Sequence, residues 1–330
     1  MMAKMIYGVD LGWATQLESM GYHWLDETEK QADIMEVLEK FGVNAVRLRV
    51  FVNPPKDAFW MKKEDEKVML GFCDAQSVLY MAERVKKQGM KLMIDFHYSD
   101  HFADPHVQDI PEAWKDDSNE QLERRVYEHT KEVLQLLTEH NIFPEWVQVG
   151  NEINNGMMWP KGSLQKAPEA LVRFLNAGYD AVKEVCPDCQ VITHLASVCN
   201  GDLCEPFWRN FFANNGKTDI MGFSYYPYWE KYESTKERLS GWLKRYAEEY
   251  HKPVMIVEIG GLDYDEEGSY KIMQDAIKAM QEMDQEELGI FYWEPEATTE
   301  ILPDHYPLCA ARLVGEKKLQ YTKVLKAYAL

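Results

Sequence analysis

Apolar positions along the chain follow two alternating patterns. Short runs rich in β-branched residues, closed by turn residues, alternate with longer stretches whose apolar positions recur at helical spacing. The runs at Ile6–Asp10, Asn44–Val50, Lys91–Phe96, Glu145–Gly150, Gln190–Leu195, Asp219–Tyr225, Pro253–Glu258 and Gly289–Trp293 read as strands. The stretches near 30–41, 74–88, 119–140, 166–185, 206–214, 233–250, 268–283 and 319–328 read as helices. Eight strands alternating with eight helices predict an α/β fold, a single (β/α)8 TIM barrel over residues 1–330, because that fold takes about 250 residues before insertions. No linker or low-complexity segment interrupts the alternation, and the long strand-to-helix excursions follow the second, third and fourth strands.

Composition narrows the partners. The 330 residues are 46% hydrophobic and 12% aromatic, enough for a sizeable core. Against 36 Lys and Arg stand 55 Asp and Glu, a formal charge of −19, so long-range electrostatics disfavours nucleic acid, anionic lipid and polyanionic substrates but not neutral sugars. No run approaches the roughly 18 apolar residues of a membrane span. The start, Met1-Met-Ala-Lys-Met-Ile-Tyr-Gly, has no apolar leader core, which reads as a cytoplasmic protein, or a secreted one if a leader has been trimmed. Cys73, Cys186, Cys189, Cys199, Cys204 and Cys309 do not make a disulfide framework for this length. Cys186-Pro-Asp-Cys189 with Cys199 and Cys204 leaves a zinc site or a local disulfide open, beside ordinary reduced thiols.

In this fold, active sites sit at the carboxyl ends of the strands. There the chain gathers polar and aromatic residues: Asp10 and Trp13, Arg47 and Arg49, Asp95, His97 and Asp100, Asn151, Glu152 and Trp159, His194, Ser224 to Trp229, Glu258, then Trp293. Glu152 and Glu258 each close an apolar run, where an unpaired ionised carboxylate costs several kcal/mol, so each is paired or used. Two carboxylates converging on one cleft are the working parts of glycoside hydrolysis, one a raised-pKa acid, the other a nucleophile or base. Tyr and Trp faces suit sugar rings, while Asn, His, Arg and carboxylates suit hydroxyls. The period of two puts Arg47 and Arg49 on one strand face, and an arginine beside Glu258 would hold its carboxyl ionised. Each has a structural rival: barrel ion pairs for the arginines, core histidines for His97 and His194, core aromatics for Tyr226, Tyr228 and Trp229. His101, Asp104 and His106 also offer a possible metal cluster.

Several segments together carry a family resemblance: Gly8-Val-Asp-Leu-Gly-Trp13, Val46-Arg-Leu-Arg-Val-Phe-Val-Asn-Pro54, Ile94-Asp-Phe-His-Tyr-Ser-Asp100 with Ala103-Asp-Pro105, Val147-Gln-Val-Gly-Asn-Glu-Ile153 with Trp159-Pro160, Phe223-Ser-Tyr-Tyr-Pro-Tyr-Trp229, Val257-Glu258 and Tyr292-Trp-Glu-Pro295. The chain resembles the arabinogalactan endo-β-1,4-galactanases of glycoside hydrolase family 53, a retaining (β/α)8 clan. The resemblance implies Glu152 as general acid/base and Glu258 as nucleophile. It further implies Arg47, Asp95, His97, Asp100, Asn151, Trp159, Tyr225, Trp229 and Trp293 as substrate-side residues. Asn151 would bond a 2-hydroxyl, Tyr225 would bond the nucleophile, and His97 and Trp293 would floor the cleavage subsite. Both proton and nucleophile come from side chains, so no cofactor and no metal is implied, and a monomer acting on β-1,4-galactan or galacto-oligosaccharides is expected.

One departure qualifies the resemblance. After Trp293-Glu-Pro295 the family often continues through a long loop that in some members carries calcium, whereas this chain passes Leu302-Pro-Asp-His-Tyr-Pro307 and then enters its last predicted helix. That argues against a calcium site and leaves open whether the cleft holds a long galactan chain or only short oligosaccharides. Two other readings stay open: the same mechanism on a β-mannan or β-glucan, or a barrel that binds sugar without cleaving it.

Overall fold

The computed structural model describes residues 4–329; Met1–Ala3 and Leu330, and with them the first part of the segment read for a leader, lie outside the described residues. Eight parallel strands close a barrel: β1 (Lys4–Asp10), β2 (Ala45–Val50), β3 (Lys91–Phe96), β4 (Trp146–Val149), β5 (Gln190–Leu195), β6 (Ile220–Tyr225), β7 (Val254–Ile259) and β8 (Glu287–Tyr292). β1 pairs with both β2 and β8, which completes the ring. Every predicted strand is present within a few residues of its expected bounds.

Alternation along each strand sorts the interior. Ile6, Ala45, Met93, Trp146, Ile192, Met255 and Phe291 point inward at the amino end and fill it with an apolar plug. Further along the same strands the inward positions become Asp10, Arg47, Asp95, Gln148, His194 and Ser224, all buried. Val46, Leu48, Ile94, Phe96, Val147, Phe223, Tyr225 and Ile256 point the other way and pack in the main core beneath the helices.

β7 breaks this parity at the position that matters. Phe223 pairs with Ile256 but Ser224 with Glu258, so Val257 is an extra residue. The bulge lets Val257 stay in the inner plug and turns Glu258 inward after it, where strict alternation would send it to the helix layer.

The helices are stopped and started by local chemistry. Asp74 accepts from the N–H groups of Gln76 and Ser77 at the head of Ala75–Lys87. Ser118 and Gln121 form a reciprocal cap at the head of Asn119–Glu139, and such a cap contributes about 1 kcal/mol. The helix expected at 206–214 begins earlier, running Gly201–Ala213.

The predicted helix at 319–328 is a correction. Lys318–Tyr321 is a strand, antiparallel to Ala311–Gly315 and parallel to His23–Leu25, because Leu319 and Tyr321 are buried at a period of two. Only Lys323–Ala329 is helical, as a 3-10 turn. From it the Tyr328 hydroxyl donates to Gly8 O at 2.9 Å, across the β1–β8 seam. Small hairpins at Phe59–Lys63 with Glu66–Met69 and at Gly156–Met157 with Gly162–Ser163 fold the excursions after β2 and β4.

All six cysteines are buried and free, which removes the local disulfide. Among the described residues no helix is long and apolar enough to cross a membrane.

Candidate active site

At the carboxyl end of the barrel, Arg47 organises the buried charges. Its Nη1 donates to Asp10 Oδ2 at 2.6 Å, and its Nη2 reaches Asp95 Oδ2, Asn151 Oδ1 and Glu258 Oε1, each at 2.9 Å. A planar guanidinium can serve three carboxylates and an amide oxygen from four strand ends at once, which a lysine cannot.

Glu258 takes its second oxygen from another direction. The Tyr226 hydroxyl donates to Oε2 at 3.1 Å, and Ser224 Oγ lies 3.5 Å from the same oxygen. Burial raises the Glu258 pKa and the Arg47 guanidinium opposes it. The expectation that Arg47 holds this pKa down is therefore corrected in size: its attraction works against burial without cancelling it. Burial and the neighbouring Glu258 raise Glu152 well above the usual carboxylate range, with no cation in direct contact. The pair is thus split, with Glu152 holding a proton in preference to Glu258.

Glu152 follows Gly150 and Asn151 at the end of β4 and has φ of 48°, a left-handed backbone that a non-glycine residue adopts at a cost. Ser224 Oγ lies 2.6 Å from its Oε1. His194 from β5 sits between Asn151 Oδ1 (Nδ1, 2.9 Å) and Ser224 Oγ (Nε2, 2.8 Å). Among the described residues, Glu152, His194 and Glu258 are the one group of three that presents metal-ligand types of atom, all within 4.8 Å of one another. His101, Asp104 and His106 form no such group.

The other expected residues divide. His97 accepts the Ala103 N–H at Nδ1 (3.0 Å), so its ring hydrogen sits on Nε2 and goes to Asp95 Oδ2 (3.0 Å). Asp95 is wholly buried beneath the site and is bonded to Gln148, Arg47 and His97, so it positions its neighbours. Asn151 donates to Ala103 O at 2.8 Å. Trp293 stands edge-on to Trp13 and Tyr306, at 5.2 and 4.7 Å between ring centroids. Trp229, half exposed, extends this group, tilted against Tyr306 at 6.3 Å between ring centroids and edge-on to Tyr228. Trp159 is half-buried in the excursion after β4, its indole on Asn155 O.

Two placements are corrections. Asp100 spends both oxygens on backbone, accepting from Asn53 and Glu112, so it ties the excursions after β2 and β3 together. Tyr225 faces the helix layer with its hydroxyl 2.9 Å from Ser234 Oγ, and it is Tyr226 that reaches Glu258. Parity carried the missed signal: Tyr225 shares the face of Phe223, and Ser224 does not. Arg49 follows its structural reading, with Nη1 on Glu294 Oε1 at 2.5 Å and Nη2 on Leu70 O at 2.6 Å. Glu294 also accepts the N–H groups of Gly12 and Trp13, so this ion pair pins the first and last loops together.

A cavity of about 930 Å3 lies at the opposite mouth among Lys91, Glu145, Trp146, His251 and Glu287. At its rim Lys91 pairs with Glu287 and Lys244 with Glu282, and none of the expected site residues lines it.

Comparison with known proteins bears on the family and the fold. The family model described as glycosyl hydrolase family 53 matches residues 6–325. The chain is 29% identical over 316 residues to an endo-beta-1,4-galactanase of Bacillus subtilis, covering 88% of this chain and 70% of that one. It is 32% identical over 261 residues to an arabinogalactan endo-beta-1,4-galactanase of Cellvibrio japonicus, covering 76% of this chain and 64% of the other. Among solved structures, a family 53 catalytic domain of Ignisphaera aggregans superposes with a TM-score of 0.85 at 28% identity, covering 98% of this chain and 95% of its own.

Proposed function

The chain belongs to glycosyl hydrolase family 53, and from that membership we propose that it hydrolyses β-1,4-galactosidic bonds in galactan, arabinogalactan or their oligosaccharides by a retaining double displacement. One observation carries the mechanism: oxygens of Glu152 and Glu258 lie within 4.8 Å of each other. Retaining enzymes hold their carboxyls about 5–5.5 Å apart, whereas inverting enzymes leave about 6.5–9.5 Å for a water between them.

The steps then follow from the split pair. Glu258, held by Arg47 and Tyr226, attacks the anomeric carbon through a carboxylate oxygen. The bond to the leaving oxygen breaks, and that oxygen takes the proton of Glu152. The product is a glycosyl ester on Glu258. Glu152, now a carboxylate, removes a proton from water as the water oxygen attacks the same carbon and frees Glu258. Two inversions give net retention. Trp293 and His97 floor the reacting sugar, and Asn151 is placed to meet its 2-hydroxyl.

The test is hydrolysis of linear β-1,4-galactan and galactotetraose, with products resolved by size and the first-formed anomer read by proton NMR. β-Anomer release by the wild type, lost by more than about 10^3-fold in Glu258→Gln, is expected. First release of the α-anomer would overturn the mechanism. An inactive wild type on both substrates would overturn the choice of sugar and direct the search to β-mannan and β-glucan.

A further inference from the structure

The hydrogen bonds around Glu152 can be given directions by counting hydrogens. Ser224 Oγ carries one hydrogen and has two close neighbours, Glu152 Oε1 at 2.6 Å and His194 Nε2 at 2.8 Å. The far end of the chain decides where that hydrogen goes. Asn151 Nδ2 donates to Ala103 O, so Asn151 Oδ1 is the acceptor of its amide. That oxygen takes Arg47 Nη2 at 2.9 Å and lies 2.9 Å from His194 Nδ1, which must therefore carry a hydrogen.

His194 is fully buried beside Arg47 and His97, and burial and these neighbours push its pKa well below the ordinary value. A neutral ring with hydrogen on Nδ1 has a bare lone pair on Nε2, and Ser224 is the hydroxyl in contact with it. With its hydrogen turned to His194, Ser224 meets Glu152 as an acceptor. A contact of 2.6 Å between two oxygens then requires the hydrogen to be on Glu152.

We infer that His194 and Ser224 form a positioning relay in which His194 competes for the Ser224 hydrogen and thereby keeps Glu152 protonated in the free enzyme. The relay deepens the retaining reading and rests on it for the role of Glu152. When Glu152 has given its proton to the leaving oxygen, Ser224 turns its hydrogen to the new carboxylate, and it turns back when Glu152 takes a proton from water. The Ser224 hydrogen never leaves its oxygen, so the proton balance of the reaction is unchanged. The groups facing this relay are Glu258 from β7, Arg47 from β2, His97 and Asp104 from beyond β3, and Tyr226 from beyond β6.

His194→Phe tests it, since Asn151 Oδ1 keeps Arg47 and Gln148 as donors when the ring nitrogens are gone. Freed of its competitor, Ser224 would donate to ionised Glu152 at all times. The alkaline limb of kcat/KM on galactan, which reports the acid of the free enzyme, should then move down by about one pH unit. In a Ser224→Ala background the same substitution should give no further movement. An unmoved limb in His194→Phe, or an equal movement without Ser224, overturns the relay.

A second measurement needs neither turnover nor a His194 variant. In 15N-histidine-labelled wild type, the resonances displaced by Ser224→Ala should show a neutral ring with hydrogen on Nδ1 at pH 7. Hydrogen on Nε2, or on both nitrogens, overturns the relay. Because this readout is independent of substrate, an enzyme inactive on galactan would count against the proposed sugar and leave the relay to be judged by the spectrum.

Discussion

The Tyr226 hydroxyl donates to Glu258 Oε2 at 3.1 Å, on the carboxylate oxygen that Arg47 leaves open. Burial and the nearby Glu258 raise the Tyr226 pKa well above its ordinary value, so the phenol stays a donor throughout the working pH range. One hydrogen bond to a charged group contributes about 1.5–3 kcal/mol, or roughly 10- to 100-fold in rate. Tyr226→Phe should lower kcat by that factor with little change in melting temperature. Tyr225→Phe, whose lost partner is Ser234, should leave kcat within about twofold while lowering stability by about 1 kcal/mol. Steady-state kinetics and melts of both variants check the contrast, and equal kinetic effects would place the nucleophile's partner wrongly.

Arg47→Gln should be far more damaging to the fold. Its guanidinium touches Asp10, Asp95 and Glu258, all buried, so removal leaves three carboxylates facing one another. Breaking a buried ion pair from one side costs about 3–5 kcal/mol. Arg47→Lys should recover little of this, because one ammonium cannot span Asp10 and Glu258 as two guanidinium nitrogens do. Urea unfolding of the three proteins measures the loss.

The contrast between Arg47 and Tyr226 marks how far the sequence was legible. Strand positions followed from period and length, and the strand-end glutamates from the cost of burying them. Arg47 and Arg49 share a face as alternation requires, yet one serves the nucleophile and the other Glu294, because their neighbours come from loops far away in sequence. Glu258 could not be aimed by alternation, since its direction depends on the bulge at Val257, which only pairing with β6 creates. The short strands at His23–Leu25 and Lys318–Tyr321 were missed because three or four residues are too few to set a period of two apart from a helical one, and each exists through its partner.

Glu296 should set the alkaline side of the stability curve. It is wholly buried, its Oε1 accepts the Trp13 N–H at 3.1 Å, and burial and then Glu294 raise its pKa well above the ordinary 4.5. A carboxyl raised by folding contributes stability that is complete below its unfolded value and is lost as pH rises through its folded one. Glu296→Gln keeps the side chain's size and an acceptor for the Trp13 N–H without an ionisable proton. The variant should match the wild type near pH 5 and melt about 2 °C or more above it at pH 9. Parallel curves at both pH values would show that Glu296 is not the group responsible.

His129 should act on the acid side with the opposite sign. Packed against Phe96, Tyr98 and Trp114, its ring is pushed by burial from the ordinary 6.5 down to about 4. Below pH 6.5 the unfolded chain takes up a proton that the folded ring refuses, so stability falls between pH 6.5 and about 4. The full loss is on the order of 3 kcal/mol. His129→Phe should remove this slope, seen as a flatter urea midpoint between pH 6.5 and 4.5.

Metal ions should hinder turnover. In the proposed reaction both proton and nucleophile come from side chains, so a chelator should leave the rate unchanged. Added Zn2+ is a different matter, because Glu152, His194 and Glu258 bring three suitable ligand atoms within 4.8 Å. Arg47 at 2.9 Å from Glu258 opposes a cation there, and Glu152 must lose its proton and Ser224 must release His194 before either can bind. Inhibition should therefore be weak at acid pH and tighten as pH rises, competitively with galactan. Rates measured against free Zn2+ at pH 5.5 and 7.5 test this. Inhibition that ignores pH would put the ion elsewhere, and activity lost to a chelator and restored by a metal would contradict the proposed source of the proton and nucleophile.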